Sequence, residues 1–350
     1  MYRAPTNLLR IHLLGASLSL EGFWATLCTE FCWISKRVTQ LGYLRKILSF
    51  GSFIIESVNH HSLMTKLLVS GSFVIDWINS MVANWNEFEN QAWLDSQLSI
   101  RGSESVSQAL KQLLAMTDAF NIKLGLREAS MAIRHLQLML AKNECVNLTA
   151  INEPEKALVL HSLDSLLFLK VFQSHDLLLD ENQKLLDMGT GGGFPGLTLA
   201  CCLPCQVTLL DSVGKKVKAC SEFADDLLLS VRVQCVHGRL EEYAKVIHGS
   251  QDVVVARALA PLDVLLEYAE PYLKRNGYLV FGKGKPDVEE LSKAEYVSSL
   301  LGYSNVSRET FELPNDMGHR EIFVYQKTSR SKVKLPRKNG EARNNPLANR

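Results

Sequence analysis

Residues 185–196 read LLDMGTGGGFPG, with five glycines and a proline in twelve residues, directly after an apolar run and an aspartate. The run "KLLDMG" reads as a strand, and "PGLTLACCL" behind the turn reads as a helix with proline near its first position. A strand, a turn stripped of side chains and then a helix N-terminus is a context in which a ligand can touch backbone.

The acid in this turn separates candidate ligands. A dinucleotide fingerprint normally has an apolar residue at that place, and its third glycine opens the helix above a pyrophosphate. Here the order is Asp187-x-Gly189-x-Gly191-x-Gly193. A carboxylate there repels a pyrophosphate and suits a ligand bearing an ammonium group. S-adenosyl-L-methionine carries an ammonium and a sulfonium and no phosphate. Asp211 ends the next strand, "QVTLLD", about 20 residues past the turn, where a carboxylate can accept both ribose hydroxyls.

Outward from the turn, "VRVQCVH", "DVVVARA" and "GYLVFGKG" continue the β-rich runs, with helical segments between them. Alternation of this kind predicts an α/β, Rossmann-like fold with a mostly parallel sheet covered on both faces. "SNVSRETFEL" and "REIFVYQK" add an antiparallel edge pair, making seven strands. Ahead of the sheet, "SQALKQLLAMTDAF" and "REASMAIRHLQLMLAKN" place Ile133, Leu136, Met139 and Leu140 at helical spacing. Asn152-Glu153-Pro154-Glu155 has the form of a helix start, with Asn152 as its cap. His161, Asp164 and Ser165 share a face of the leucine-rich helix that follows. They either line an RNA or cofactor entrance or form a polar network tying that helix to Asn147 and Thr149.

The chain has 350 residues, 47% hydrophobic and 21% charged, with a net charge of +1, so any nucleic-acid footprint must be local. Eight cysteines form no disulfide framework, which implies a reducing compartment, the cytoplasm. Cys202-Leu203-Pro204-Cys205 follows a helix and leads into a strand, the reverse of a redox motif, and no spacing completes a metal site. These thiols read as small core residues. Charges break each apolar run short of the ~20 residues a bilayer needs, so no membrane is expected.

The expected domains are residues 1–105 as an N-terminal extension, 106–175 as a helical segment, 176–328 as the Rossmann-like domain and 329–350 as a basic tail. The extension holds all five tryptophans and a weak repeat, KILSFGSFIIESVN (46–59) and KLLVSGSFVIDWIN (66–79). Its first twenty residues carry Arg3 and Arg10 and no acid, which leaves an organelle stroma or matrix as the alternative location.

Several separated segments, in order, resemble the bacterial small-subunit ribosomal RNA guanine-N7 methyltransferases of the glucose-inhibited division protein B type. They are VNLTAI (146–151), LVLHSLDSLL (158–167), LLDMGTGGGFPGLTLA (185–200), VTLLDSVGKKVKAC (207–220), GRLEEY (238–243), DVVVARALAPLDVLLEYA (252–269), GYLVFGKG (277–284) and LPRKNG (335–340). The resemblance runs from about 107 to 347, with Lys142 and Leu335 where the family commonly has aromatic residues. It implies a class I S-adenosylmethionine-dependent methyltransferase, acting on N7 of a guanine (the family's guanine 527) in 16S ribosomal RNA or the small subunit, as a monomer. By position it implies cofactor contacts at Asp187, Gly189, Gly191, Phe194, Asp211, Leu240, Glu241 and Arg257.

Guanine N7 offers a lone pair and carries no proton, so such an enzyme can work by positioning and by stabilising charge, without a general base. Where amino-methylating enzymes carry an Asn/Asp-Pro-Pro-aromatic run, this chain has "RALAPL". Arg257 and Lys283 are the expected catalytic cations, able to donate to guanine O6 or to a phosphate. The tail TSRSKVKLPRKNGEARNNPLANR (328–350) holds seven basic residues and one acid, and Arg337, Lys338 and His161 are the expected RNA contacts. Two other readings stay open: a dinucleotide-dependent oxidoreductase, and a non-catalytic RNA or ribosome-assembly module.

Overall fold

The computed structural model describes residues 103–349, within the compact unit Gln91–Arg350. The tryptophans, the internal repeat and the arginine-bearing N-terminus of the sequence reading lie outside the described residues.

All seven expected strands form: β1 (Lys184–Met188), β2 (Gln206–Asp211), β3 (Val233–His237), β4 (Gln251–Arg257), β5 (Leu273–Lys283), β6 (Tyr303–Glu312) and β7 (His319–Lys327). They make one sheet in the order β3-β2-β1-β4-β5-β7-β6. β1 to β5 pair in parallel, while β7 is antiparallel to both β5 and β6. The chain runs outward from β1 to β3 and then restarts at β4 on the other side of β1. The carboxyl ends of β1 and β4 therefore border the crevice where open α/β sheets bind ligands.

Side-chain alternation separates two cores. Along β1, Leu185 faces one core and Leu186 and Met188 face the other, all fully buried. The first core is covered by α1 (Ser103–Ala119), α2 (Leu126–Val146), α3 (Pro154–Ser174), α4 (Gly196–Cys202) and α5 (Gly214–Asp226). The second is covered by α6 (Leu240–Tyr243), α7 (Leu262–Ala269), α8 (Val288–Leu301) and α9 (Glu341–Asn344). Truncating a side chain such as Leu185 would cost about 2–5 kcal/mol through lost transfer energy and the cavity left behind.

α3 is long and apolar enough to cross a membrane, but 78% of its most apolar window is buried inside the domain, as befits a core helix. A π-helical turn, Leu158–Leu163, interrupts it where His161 sits. Its N-cap is Glu153, with Pro154 next, and not the expected Asn152. Asn152 Oδ1 instead accepts from Asn143 Nδ2 at 2.7 Å. Asn143 organises the loop after α2: its Oδ1 accepts the N–H groups of Leu148 and Thr149, and its Nδ2 donates to Thr149 O. The neighbouring Asn147 closes α2 in a left-handed conformation, φ 53°.

Cys201 and Cys205 are buried, and burial pushes both thiols up to about 12, which suits core packing. The C-terminal segment is no separate solvated tail: Ala342 and Leu347 are buried in the second core beside α7 and α8.

Candidate cofactor and catalytic site

The glycine turn is pinned from below. Gly189 and Thr190 both donate their N–H to Leu210 O on β2, at 2.8 and 3.1 Å, and Gly193 and Phe194 donate back to Thr190 O. Gly189, Gly191 and Gly193 have φ of 73°, 59° and 95°, a region that side chains disfavour. A Cβ on Gly191 would meet nothing within 4 Å, so its bare backbone faces open space. Phe194 and Pro195 are joined by a cis peptide, and Pro195 is the N-cap of α4, next to its first helical residue as expected.

Asp187 lies near the end of β1. Its side chain points under the turn, fully buried, and Oδ2 accepts the N–H of Gly196 at 2.9 Å. A Cβ on Gly196 would come within 2.6 Å of the Asp187 Cβ, so Gly196 is a packing requirement of this contact. Burial raises the Asp187 carboxyl to about 6, opposed by the Thr190 hydroxyl, the Gly196 N–H and Arg257. The acid braces the strand–turn–helix joint through Oδ2, while its Oδ1 has no hydrogen-bond partner.

Asp211 ends β2 and is largely buried, 9% exposed. Its Oδ2 accepts from Gly191 N at 3.0 Å and its Oδ1 from Val213 N at 2.9 Å, which fixes the carboxylate beside the open glycine. An acid so placed fits a ribose diol, and the Gly191 cradle fits a ligand edge that a Cβ would exclude.

Phe194 is buried and forms the centre of a ring cluster that the sequence did not announce. His135 of α2 stacks on it at 4.2 Å and 23°, and His161 of α3 at 4.9 Å and 21°. The Arg257 guanidinium carbon lies 5.7 Å from its centroid. His135 Nε2 donates to Gly192 O at 2.9 Å, so its Nδ1 accepts from the Thr198 hydroxyl at 3.2 Å. That makes His135 a neutral spacer between the turn and α4. Burial lowers it to about 4; burial together with Arg257 and His135 lowers His161 to about 3. The only hint of this role was a histidine in the apolar stripe Ile133, Leu136, Met139.

Arg257 ends β4. Its Nη1 donates to Asp164 Oδ2 at 3.0 Å and to Leu160 O at 3.1 Å. Arg320 of β7 donates to the other Asp164 oxygen at 3.1 Å. His161 Nε2 meets the Thr149 hydroxyl at 3.0 Å, so the face of His161, Asp164 and Ser165 forms the expected polar network to Thr149, but not to Asn147. Lys283 ends β5 and pairs with Glu290 at 2.8 Å, 19% exposed.

Leu240 and Glu241 begin α6, and the buried Glu241 carboxylate accepts the N–H of Gly340 at 2.7 Å, so it faces the C-terminal segment. Arg337 is also turned inward, paired with Glu267 and 7% exposed. Lys338 is exposed. His161 is buried against Phe194, away from a surface position for phosphate.

With this geometry in view, comparison with known proteins decides the family. The sequence profile of the rRNA small subunit methyltransferase G (GidB) family matches residues 128–317, more than half of the chain. The chain belongs to this family. It is similar to ribosomal RNA small subunit methyltransferase G of Desulfitobacterium hafniense, 38% identical over 208 residues, or 59% of this chain and 83% of that one. The relative of the same name in Lactococcus lactis subsp. lactis is 34% identical over 238 residues, 67% of this chain and 97% of that one. Among solved structures, the Methanococcus jannaschii fibrillarin pre-rRNA processing protein aligns with TM-score 0.37 and 17% identity, over 43% of this chain and 69% of that one. As a member of the rRNA small subunit methyltransferase G family, the chain is an enzyme with the class I methyltransferase fold, its cofactor is S-adenosyl-L-methionine and its substrate class is ribosomal RNA.

Proposed function

We propose that this enzyme methylates N7 of one guanine in the 16S ribosomal RNA of the small subunit, with the crevice between the glycine turn and Arg257 as its active site. The observation that carries the reading is Arg257, held by Asp164 and Leu160 O at the end of β4 beside the turn. Gly189, Gly191 and Asp211 would hold the cofactor, which when bound supplies an electrophilic sulfonium methyl.

The residues of the chain contribute position and charge. Asp211 clamps Gly191 and fixes its carboxylate beside that open glycine. Arg257 and Lys283 stand at the ends of neighbouring strands, β4 and β5, where guanidinium and ammonium donors suit guanine O6 and backbone phosphate. Each is anchored by a carboxylate, Asp164 or Glu290, so its direction is set before RNA arrives. His135 and His161 are neutral at physiological pH and engaged in the ring cluster, so neither is required to take a proton; an N7 acceptor has none to give.

The test is transfer of labelled methyl groups from S-adenosyl-L-methionine to small subunits lacking the modification. Transfer by the wild type that falls at least tenfold in Arg257→Ala, with cofactor binding retained, supports the reading. Cofactor binding without transfer to small subunits or their RNA would contradict it.

A further inference from the structure

The C-terminal segment crosses the face of the sheet that carries α6 and α7, and its cations do not behave as a loose RNA arm. Arg337 Nε donates to Glu267 Oε1 at 2.6 Å and its Nη2 to the second oxygen, with the two side chains 7% and 4% exposed. The Gly340 N–H donates to Glu241 Oε1 at 2.7 Å on α6. Arg343 Nη2 donates to Leu259 O at 2.8 Å, in the loop just after Arg257. Ala342 and Leu347 seat the segment in the second core.

One of these attachments reaches the glycine turn directly. Leu259 packs against it so closely that a Cβ on Gly189 would lie 2.6 Å from the Leu259 Cδ1. α6 follows β3 at the carboxyl edge of the sheet, next to the strand that ends in Asp211. All three guanidinium nitrogens of Arg337 are engaged, on Glu267, Glu341 and Asn345 O, which leaves none for a phosphate. Pulling Arg337 away would strand a buried carboxylate, which is strongly destabilising.

We infer that Arg337 and Arg343 are positioning residues of the cofactor pocket, both acting on the segment after β4: Arg343 holds Leu259 against the glycine turn, and Arg337 holds α7 behind it through Glu267. The inference rests on the turn being the cofactor site, as proposed above.

Calorimetry with S-adenosyl-L-methionine and transfer kinetics over a salt series would be run on the full chain and on Arg337→Gln, Arg337→Lys, Arg343→Gln and Asp211→Ala, with Lys293→Ala as a surface-charge control. The expected result is a rise of about tenfold in Kd and KM for the cofactor in Arg337→Gln and Arg343→Gln, the worth of one charge-assisted hydrogen bond. At saturating cofactor, kcat, the KM for RNA and the salt slope should stay unchanged. Arg337→Lys should recover part of the affinity, and Lys293→Ala should bind as wild type. An unchanged cofactor Kd with a raised KM for RNA and a flatter salt dependence would overturn the inference in favour of an RNA arm. Lower thermal stability with both constants unchanged would overturn it in favour of a purely structural clamp. If Arg337→Gln does not fold, Arg343→Gln decides, because that side chain is exposed. Cofactor binding that survives in Asp211→Ala would instead count against the turn as the site, whatever the tail variants do.

Discussion

Arg257 donates to Asp164 at 3.0 Å, and this contact, with the bond to Leu160 O, fixes the direction of the guanidinium at the end of β4. Arg320 takes the other carboxylate oxygen at 3.1 Å, so α3 ties β4 to β7 through a single acid. Two guanidinium groups on one carboxylate leave a positive charge at the crevice, which favours an anionic or carbonyl-bearing substrate edge.

Asp164→Asn removes that anchor while keeping shape. Stability should fall by on the order of 3 kcal/mol, since two partly buried cations lose their counter-charge. Turnover should drop at least tenfold while cofactor affinity holds. Denaturant titration with kinetics and calorimetry on the same variant measures all three. Unchanged kcat would mean that the pairing does not position Arg257.

The glycines of the turn should separate into two kinds. Gly191 faces open space, so Gly191→Ala costs only the left-handed strain of about 1–2 kcal/mol. Its expected effect is loss of cofactor affinity, tenfold or more, with the fold retained. Gly196 packs on Asp187 and Leu209, at 2.6 and 2.5 Å from an added Cβ. Gly196→Ala should therefore lower stability by about 1–3 kcal/mol through overpacking. Thermal unfolding and calorimetry on both variants check the contrast, which fails if both lose affinity with equal stability.

Much of this architecture is legible in the sequence because its signals are local. Runs such as "QVTLLD" and "DVVVARA" identify strands by their own composition, and the turn identifies itself by its glycines. What the sequence does not carry is side-chain direction and distant partners. Asp187 could be placed at the end of β1, but that its side chain turns under the turn toward Gly196 depends on packing nine residues away. Arg337 reads as a tail cation because Glu267, its partner, lies 70 residues earlier on α7. Glu241 meets Gly340 across 99 residues. The role of His135 depends on Phe194, 59 residues away, which the fold stacks against it.

The buried titratable groups predict an acid-sensitive fold. His135 and His161 take protons near 6.5 when unfolded and only near 4 and 3 when folded. Their stabilisation is complete above 6.5 and is lost as pH falls toward 4. Asp187 works oppositely: its folded value of about 6 exceeds the ordinary 3.8, so its contribution is fullest below 3.8 and declines as pH rises through 6. Two imidazoles outweigh one carboxyl, so stability should fall on acidification between 6.5 and 4. The His135 share is on the order of 3 kcal/mol. Unfolding free energy measured from pH 4 to 7 should show a shallower acid limb in His135→Gln, and an unchanged slope would remove His135 from the account.

The most direct measurement maps the methyl group itself. Small subunits lacking the modification would be incubated with the full-length protein and S-adenosyl-L-methionine, and their RNA cleaved chemically at N7-methylguanine. The account predicts a single cleavage site in 16S ribosomal RNA, absent with Asp211→Ala and with Arg257→Ala. Methyl incorporation without N7 cleavage, or cleavage that persists in both variants, would contradict it.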